Sequence, residues 1–368
     1  MNALVAVYRL HAPAADVRER AEAIALEQTV ELPRAAVTDP FVEREILGRV
    51  RDVRPEPGGT HLAEIAYPLA CFGDDPLLLL GVLFGNTSLQ PDVELVDLEL
   101  PAGAARVFGG PRHGIAGIRE LAGVRDRALT AAALKPMGLS PEALADFAAT
   151  FARAGIDLVK DDQGLVDQET CRFEARVRAV TRALDRVADE TGRRPVYTPY
   201  LAGSPRELPA RIELLARLGI RAVMVSPMLA GVGLLADLAR EGRLVILAHP
   251  SWGGAGRVAP ELLLGRLFRL LGADASIFPH AGGRFAWREE TCRAIADRLR
   301  EPWHGLAPAL PVPAGGMTLD RIPELLRFYG RDVMLLVGGS LYLAEDRLEE
   351  RARAFVRAVT EASEEVSP

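Results

Sequence analysis

The chain has 368 residues, 49% of them apolar, and a formal net charge of −6. That length exceeds one small domain and suits a large α/β barrel beside a smaller domain. The absence of a basic block argues against nucleic acid as a partner. No stretch approaches the ~18 apolar residues of a membrane span; the longest, PLLLLGVLFG, is too short. Cys71, Cys171 and Cys292 are too scattered for a metal spacing or a disulfide framework. The start, MNALVAVYRLHAP, lacks a basic segment followed by an apolar one, so a cytoplasmic location is expected.

In chain order, LVAVYRL alternates as a strand, and Asp16 to Glu27 reads as a helix. EREILGRVRDVRPE and HLAEIAYPL read as strands, DDPLLLLGVLFG as a helix and VELVDLELP as a last strand. This mixed order predicts a small antiparallel sheet with helices on it, an α+β, ferredoxin-like unit over residues 1–112. From residue 113 the pattern changes. Apolar runs (LTAAALK, IDLVK, PVYTPY, RAVMVS, RLVILAH, ASIFPH, LPVPAG, VMLLVGG) alternate with amphipathic helical segments to the C-terminus. Strand followed by helix, repeated to this extent, predicts a (β/α)8 barrel over residues 113–368. A doubly wound sheet is the second choice, because no dinucleotide GxGxxG follows a strand.

In a barrel the chemistry sits at the C-terminal ends of the strands. Lys135 ends the first predicted strand. Lys160, Asp161, Asp162 and Gln163 end the second, His249 the fifth and His280 the sixth. The seventh ends in Ala314-Gly315-Gly316 and the eighth in Gly338-Gly339-Ser340. The glycine pairs suit a phosphate held by backbone N–H groups, or simply tight turns. Lys135 and Lys160 are the only two lysines among 44 basic residues. Where arginine serves every other cationic position, a lysine is best explained as a titratable or reactive amine. Alternation puts Lys160 and Asp162 on one face and Asp161 on the other. On spacing alone, Lys160 and Asp162 read as an ion pair. If the amine instead takes up CO2, the carbamate and Asp162 offer two oxygen ligands for a hard cation such as Mg2+.

At these residues the chain resembles the RuBisCO large-subunit superfamily. LKPMGLS (134–140) is similar to its KPxxGLS motif and GIDLVKDDQ (155–163) to its metal motif GxDxxKDDE; FGGPRHGI (108–115) is similar to its lead-in to the barrel. The resemblance implies Lys135 as catalytic base. It implies Lys160, as a carbamate, with Asp162 and Gln163 as the Mg2+ ligands. His249 and His280 fall on the family's strand-5 and strand-6 histidines. Gly315, Gly316, Gly338 and Gly339 fall on its phosphate loops, with Arg284 as a further candidate. LFGN (83–86) places Asn86 on a residue that completes the site of the partner in a homodimer.

Departures from the pattern define the subtype. The KPMGLS motif is one residue shorter than the carboxylase form and lacks its second lysine. The third metal ligand is Gln163 rather than Glu; Pro250 replaces an arginine, Ala314 a serine, and Leu32 and Pro33 a Thr-Trp phosphate contact. AGGRFAWREE, after the sixth strand, lacks the lysine a carboxylase needs. The resemblance therefore implies a form IV, RuBisCO-like protein that does not fix CO2. Its expected activity is an isomerase or enolase abstracting a proton next to the carbonyl of a phosphorylated ketose, with 5-methylthioribulose 1-phosphate of sulfur salvage as first choice. The diketone enolases place a lysine where Asn86 stands, which favours the isomerase. The alternatives are decarboxylation or transcarboxylation of a branched 3-oxo acid phosphate, and a scaffold without chemistry. Trp252, Trp287 and the Gly282-Gly283 hinge suggest a pocket wall and a lid; His113 suits a helix start.

Overall fold

The computed structural model describes residues 3–101, 103–285, 287–343 and 345–366. The N-terminal part holds β1 (Ala3–Leu10), β2 (Arg49–Pro55), β3 (His61–Pro68) and β4 (Val93–Glu99). They form an antiparallel sheet in the order β2-β3-β1-β4. One face of β1, Leu4, Ala6, Tyr8 and Leu10, is wholly buried under the helices Val17–Glu27 and Pro76–Phe84. Tyr8 ties the layers together by donating its hydroxyl to the Leu83 carbonyl at 2.6 Å. The long strand expected over EREILGRVRDVRPE is shorter. Val42–Ile46 forms a helical turn, with the Asp39 carboxylate accepting from the Phe41 and Val42 N–H groups, and β2 begins only at Arg49.

The barrel strands are β5 (Leu129–Leu134), β6 (Leu158–Asp161), β7 (Val196–Thr198), β8 (Ala222–Val225), β9 (Val245–Ala248), β10 (Ala275–Pro279), β11 (Leu310–Ala314) and β12 (Met334–Val337); each lies inside its predicted run except β6, which continues one residue past Lys160. They pair in parallel in the order β7-β6-β5-β12-β11-β10-β9-β8. Backbone bonds at Pro199, Leu201 and Met224 join the two ends. Interior positions alternate along each strand, Leu129, Ala131 and Ala133 on β5 for example, as the period of two requires. Ile115 and Ile118 of helix Gly114–Ala122 join that interior cluster. Asp274 fixes this helix start, accepting from the His113 and Gly114 N–H groups at 2.7 Å each and from the Ile246 N–H at 2.9 Å. His113 thus sits at a helix start, as its sequence context suggested. No described helix is long and apolar enough to cross a membrane.

Candidate active site

A cavity of about 910 Å³ opens over the C-terminal ends of the barrel strands. Lys135, Lys160, Asp162, Gln163, His249, Arg284, Gly315, Gly316, Gly338 and Gly339 line it, gathered from strand ends far apart in sequence.

Alternation at β6 places these groups. Lys160 points inward and is 1% exposed. Asp161 points outward into a buried cluster: it accepts from Arg176 Nε at 3.0 Å, the Tyr197 hydroxyl at 2.9 Å and the Tyr200 N–H at 3.1 Å. Asp162 turns back to the cavity, 3.2 Å from Lys135 Nζ and 4.0 Å from Lys160 Nζ. One carboxylate therefore serves two amines. Burial lowers the Lys160 pKa to about 8, against the attraction of Asp162, with Lys135 adding to the fall. A buried amine in that range supplies far more neutral, CO2-reactive nitrogen near neutrality than an exposed lysine does.

Tyr342 positions Lys135. Its hydroxyl donates to the Ala133 carbonyl at 2.9 Å and accepts the Lys135 N–H at 3.2 Å. Lys135 also lies against Gly338: a side chain there would begin 3.5 Å from Lys135 Cε. Gly315 and Gly316 both have left-handed backbone, φ +91° and +88°. A Cβ on Gly315 would meet the Phe285 ring at 3.0 Å, and one on Gly316 the Arg284 backbone nitrogen at 3.0 Å. The loop after β10 is docked there: Arg284 N–H donates to the Gly315 carbonyl at 2.9 Å, and the Arg284 guanidinium lies 4.8 Å from the Phe285 ring centre.

His249 accepts the Ser251 N–H on Nδ1 at 3.3 Å, with the Ser251 hydroxyl 2.9 Å from the same atom. That network assigns the ring proton to Nε2. Burial, reinforced by Lys160 and Lys135, pushes its pKa down to about 3, so the ring is neutral. His280 is placed differently. It is fully buried, its Nδ1 lies 2.8 Å from the Ala281 carbonyl, and Gly283 sits over the Nε2 side. Its Nε2 has no hydrogen-bond partner among the described residues, and burial lowers its pKa. Asn86 lies outside this chain's own cavity wall, exposed, donating to Glu27 Oε1 at 2.9 Å. Trp287 lines the cavity; Trp252, 68% exposed, does not.

Residues 114–275 match the family model described as "Ribulose bisphosphate carboxylase large chain, catalytic domain". The chain is 49% identical over 357 residues to "Ribulose bisphosphate carboxylase-like protein 1" of Rhodopseudomonas palustris, covering 97% of each. The chain belongs to the RuBisCO large-chain family. It is also 44% identical to "5-methylthioribulose-1-phosphate isomerase" of Rhodospirillum rubrum, over 98% of this chain and 97% of that one. A crystal structure of a Rubisco-like protein from Rhodopseudomonas palustris superposes with a TM-score of 0.91 at 44% identity, over 98% of both chains. With that family fold, strand-end residues named from motif spacing converge on one cavity. Sequence reasoning missed Tyr342, Ser251, Arg176 and Phe285. Tyr342 and Phe285 read as packing aromatics, Ser251 as a loop residue and Arg176 as one of many helix arginines, until the fold shows what they touch.

Among the described residues no three His, Cys, Asp or Glu side chains cluster as a metal site. Among the described residues, Asp162 is the one carboxylate on the cavity wall. The donor set fits a hard dication only with Lys160 as a carbamate, which adds a second anionic oxygen, and with the Gln163 amide as a neutral third ligand.

Proposed function

We propose that this RuBisCO-like protein isomerises a phosphorylated ketose, with 5-methylthioribulose 1-phosphate as substrate, and does not fix CO2. The observation that carries the reading is the asymmetry of the cavity. Lys135 lies against Gly338, and Arg284 against Gly315 and Gly316, while the wall after β9 presents Pro250, Val258, Leu263 and Leu264. One cationic, glycine-rich end and one apolar end match a monophosphate with a thioether tail better than a bisphosphate. The 44% identity to a 5-methylthioribulose-1-phosphate isomerase supports the same choice.

Lys135 is the base in this account. Its amine lies 3.2 Å from Asp162 Oδ2. With Asp162 committed to a ligand on the Lys160 side, Lys135 is free to take the proton next to the carbonyl and to return it to a neighbouring carbon. A Mg2+ held by carbamylated Lys160, Asp162 and Gln163 would supply Lewis-acid stabilisation of the enolate oxygen. His249, neutral with its proton on Nε2, donates that proton toward a substrate oxygen. Gly315, Gly316, Gly338 and Gly339 offer backbone N–H groups to the phosphate, and Arg284 adds charge. His280, beneath Gly283, contacts substrate only if the docked loop lifts. Asn86 reaches a substrate only in a second copy of the chain, so the reading includes a homodimer with shared sites.

Purified protein incubated with 5-methylthioribulose 1-phosphate, Mg2+ and bicarbonate, followed by NMR, tests this. An isomeric sugar phosphate formed without CO2 release supports it. CO2 release points to the decarboxylase class, and no change in any phosphorylated ketose points to a scaffold without chemistry.

A further inference from the structure

The loop from His249 to Pro260 forms one wall of the cavity. Its sequence, HPSWGGAGRVAP, contains Gly253, Gly254 and Gly256, which are entropically costly to order. Trp252 stands in it with φ +67° and an exposed ring. Inside the loop the backbone makes two turn bonds, Gly253 N–H to the Pro250 carbonyl and Ala255 N–H to the Trp252 carbonyl, both with the side toward β9. Yet Ser251, Gly253 and Val258 must hold their places for the cavity to keep its shape.

The far end of the loop is held from outside the barrel. Leu95 N–H donates to the Arg257 carbonyl and Ala259 N–H to the Leu95 carbonyl, both at 2.9 Å, so Val258 pairs in parallel with β4. β4 is an edge of its sheet and has backbone groups to offer there. The Arg257 side chain completes the attachment. Nε donates to the Val93 carbonyl at 3.0 Å, and Nη2 to the Ser88 and Gln90 carbonyls at 2.5 and 2.7 Å. One guanidinium thus gathers three carbonyls from β4 and the turn before it.

We propose that Arg257 is a positioning residue: it fixes the β9 loop against β4 and so sets the affinity of the cavity for the part of the ligand remote from the phosphate. The affinity half of this rests on the isomerase reading; the structural half does not. Arg257 lines no part of the cavity and touches no reacting group. A lysine at this position can reach fewer of the three carbonyls, since it lacks the planar fork.

Hydrogen exchange by mass spectrometry and steady-state kinetics of Arg257→Met and Arg257→Lys test the proposal together. In Arg257→Met, amides 253–259 should exchange about tenfold faster. KM for 5-methylthioribulose 1-phosphate should rise about tenfold with kcat within about twofold. The inhibition constant of inorganic phosphate, which reaches only the glycine pairs, should not move, and Arg257→Lys should lie between. Unchanged exchange overturns the proposal. Faster exchange with unchanged KM overturns its affinity half while leaving the isomerase reading standing. If wild type turns over no phosphorylated ketose, the isomerase reading falls, and Arg257 is judged on exchange alone.

Discussion

Asp161 and Arg176 form an ion pair with neither side chain exposed, directly behind the two cavity-facing groups of β6. Asp161 accepts three hydrogen bonds, and Arg176 donates further to the Leu165 and Val166 carbonyls at 2.8 and 3.0 Å. Arg176→Met leaves a buried carboxylate with only the Tyr197 and Tyr200 donors. Asp161→Leu leaves a buried guanidinium with only carbonyls. Breaking a buried pair from one side costs about 3–5 kcal/mol. At ~2–4 °C per kcal/mol, either single variant should melt about 6–20 °C below wild type. The double variant removes both charges, so it should cost at least about 2 kcal/mol less than the sum of the singles. Urea unfolding followed by circular dichroism gives all three values. Asp161 stands between Lys160 and Asp162 in sequence, so the survivors should also lose turnover well below their melting temperature. Single-variant losses under about 1 kcal/mol, or costs that add, would refute the claim that this pair anchors the site.

Further outcomes follow from the same geometry. His249 is neutral in the fold, with a pKa of about 3, while in the unfolded chain it binds a proton below its ordinary 6.5. Stability is therefore lost as pH falls from about 6.5 toward 3; at pH 5 the loss is about 2 kcal/mol. His249→Gln should flatten that acid limb in urea titrations from pH 7 to 5, and an unchanged limb would refute the assignment. Lys160→Met keeps the buried stem and removes the amine. Wild type with 13C-bicarbonate and Mg2+ should show a carbamate signal by NMR that this variant lacks. Gly315→Ala forces a side chain into φ +91° and against Phe285. It should raise KM for the phosphorylated substrate about tenfold, read by initial rates; unchanged KM would remove this loop from phosphate binding.

Much of this was legible in the sequence. The barrel strands are short, mostly apolar runs, because strands covered on both sides need little alternation. Their last polar residues, Lys135, Lys160, Asp162 and His249, therefore stood out as strand ends, and the cavity contains them all. What stayed hidden depends on neighbours distant in the chain. Alternation showed that Asp161 faces away from Lys160 but not that Arg176 and two tyrosines receive it. His280 ends its strand as expected, yet Gly283 folds back over it, a consequence of the loop docking on Gly315. Nor could spacing show that Tyr342, more than 200 residues on, caps the end of β5. Glu43–Ile46 reads as part of a longer strand because it runs into the β2 residues, while the Asp39 carboxylate turns the backbone before them.

The central claim is that Lys135 moves a substrate proton without any carboxylation. The direct measurement is solvent-deuterium incorporation into 5-methylthioribulose 1-phosphate and its product, followed by NMR in D2O with wild type and Lys135→Met. The account predicts deuterium on carbon and an isomeric product with wild type, and neither with Lys135→Met, although that variant still binds inorganic phosphate. Deuterium incorporation that survives in folded Lys135→Met would contradict it.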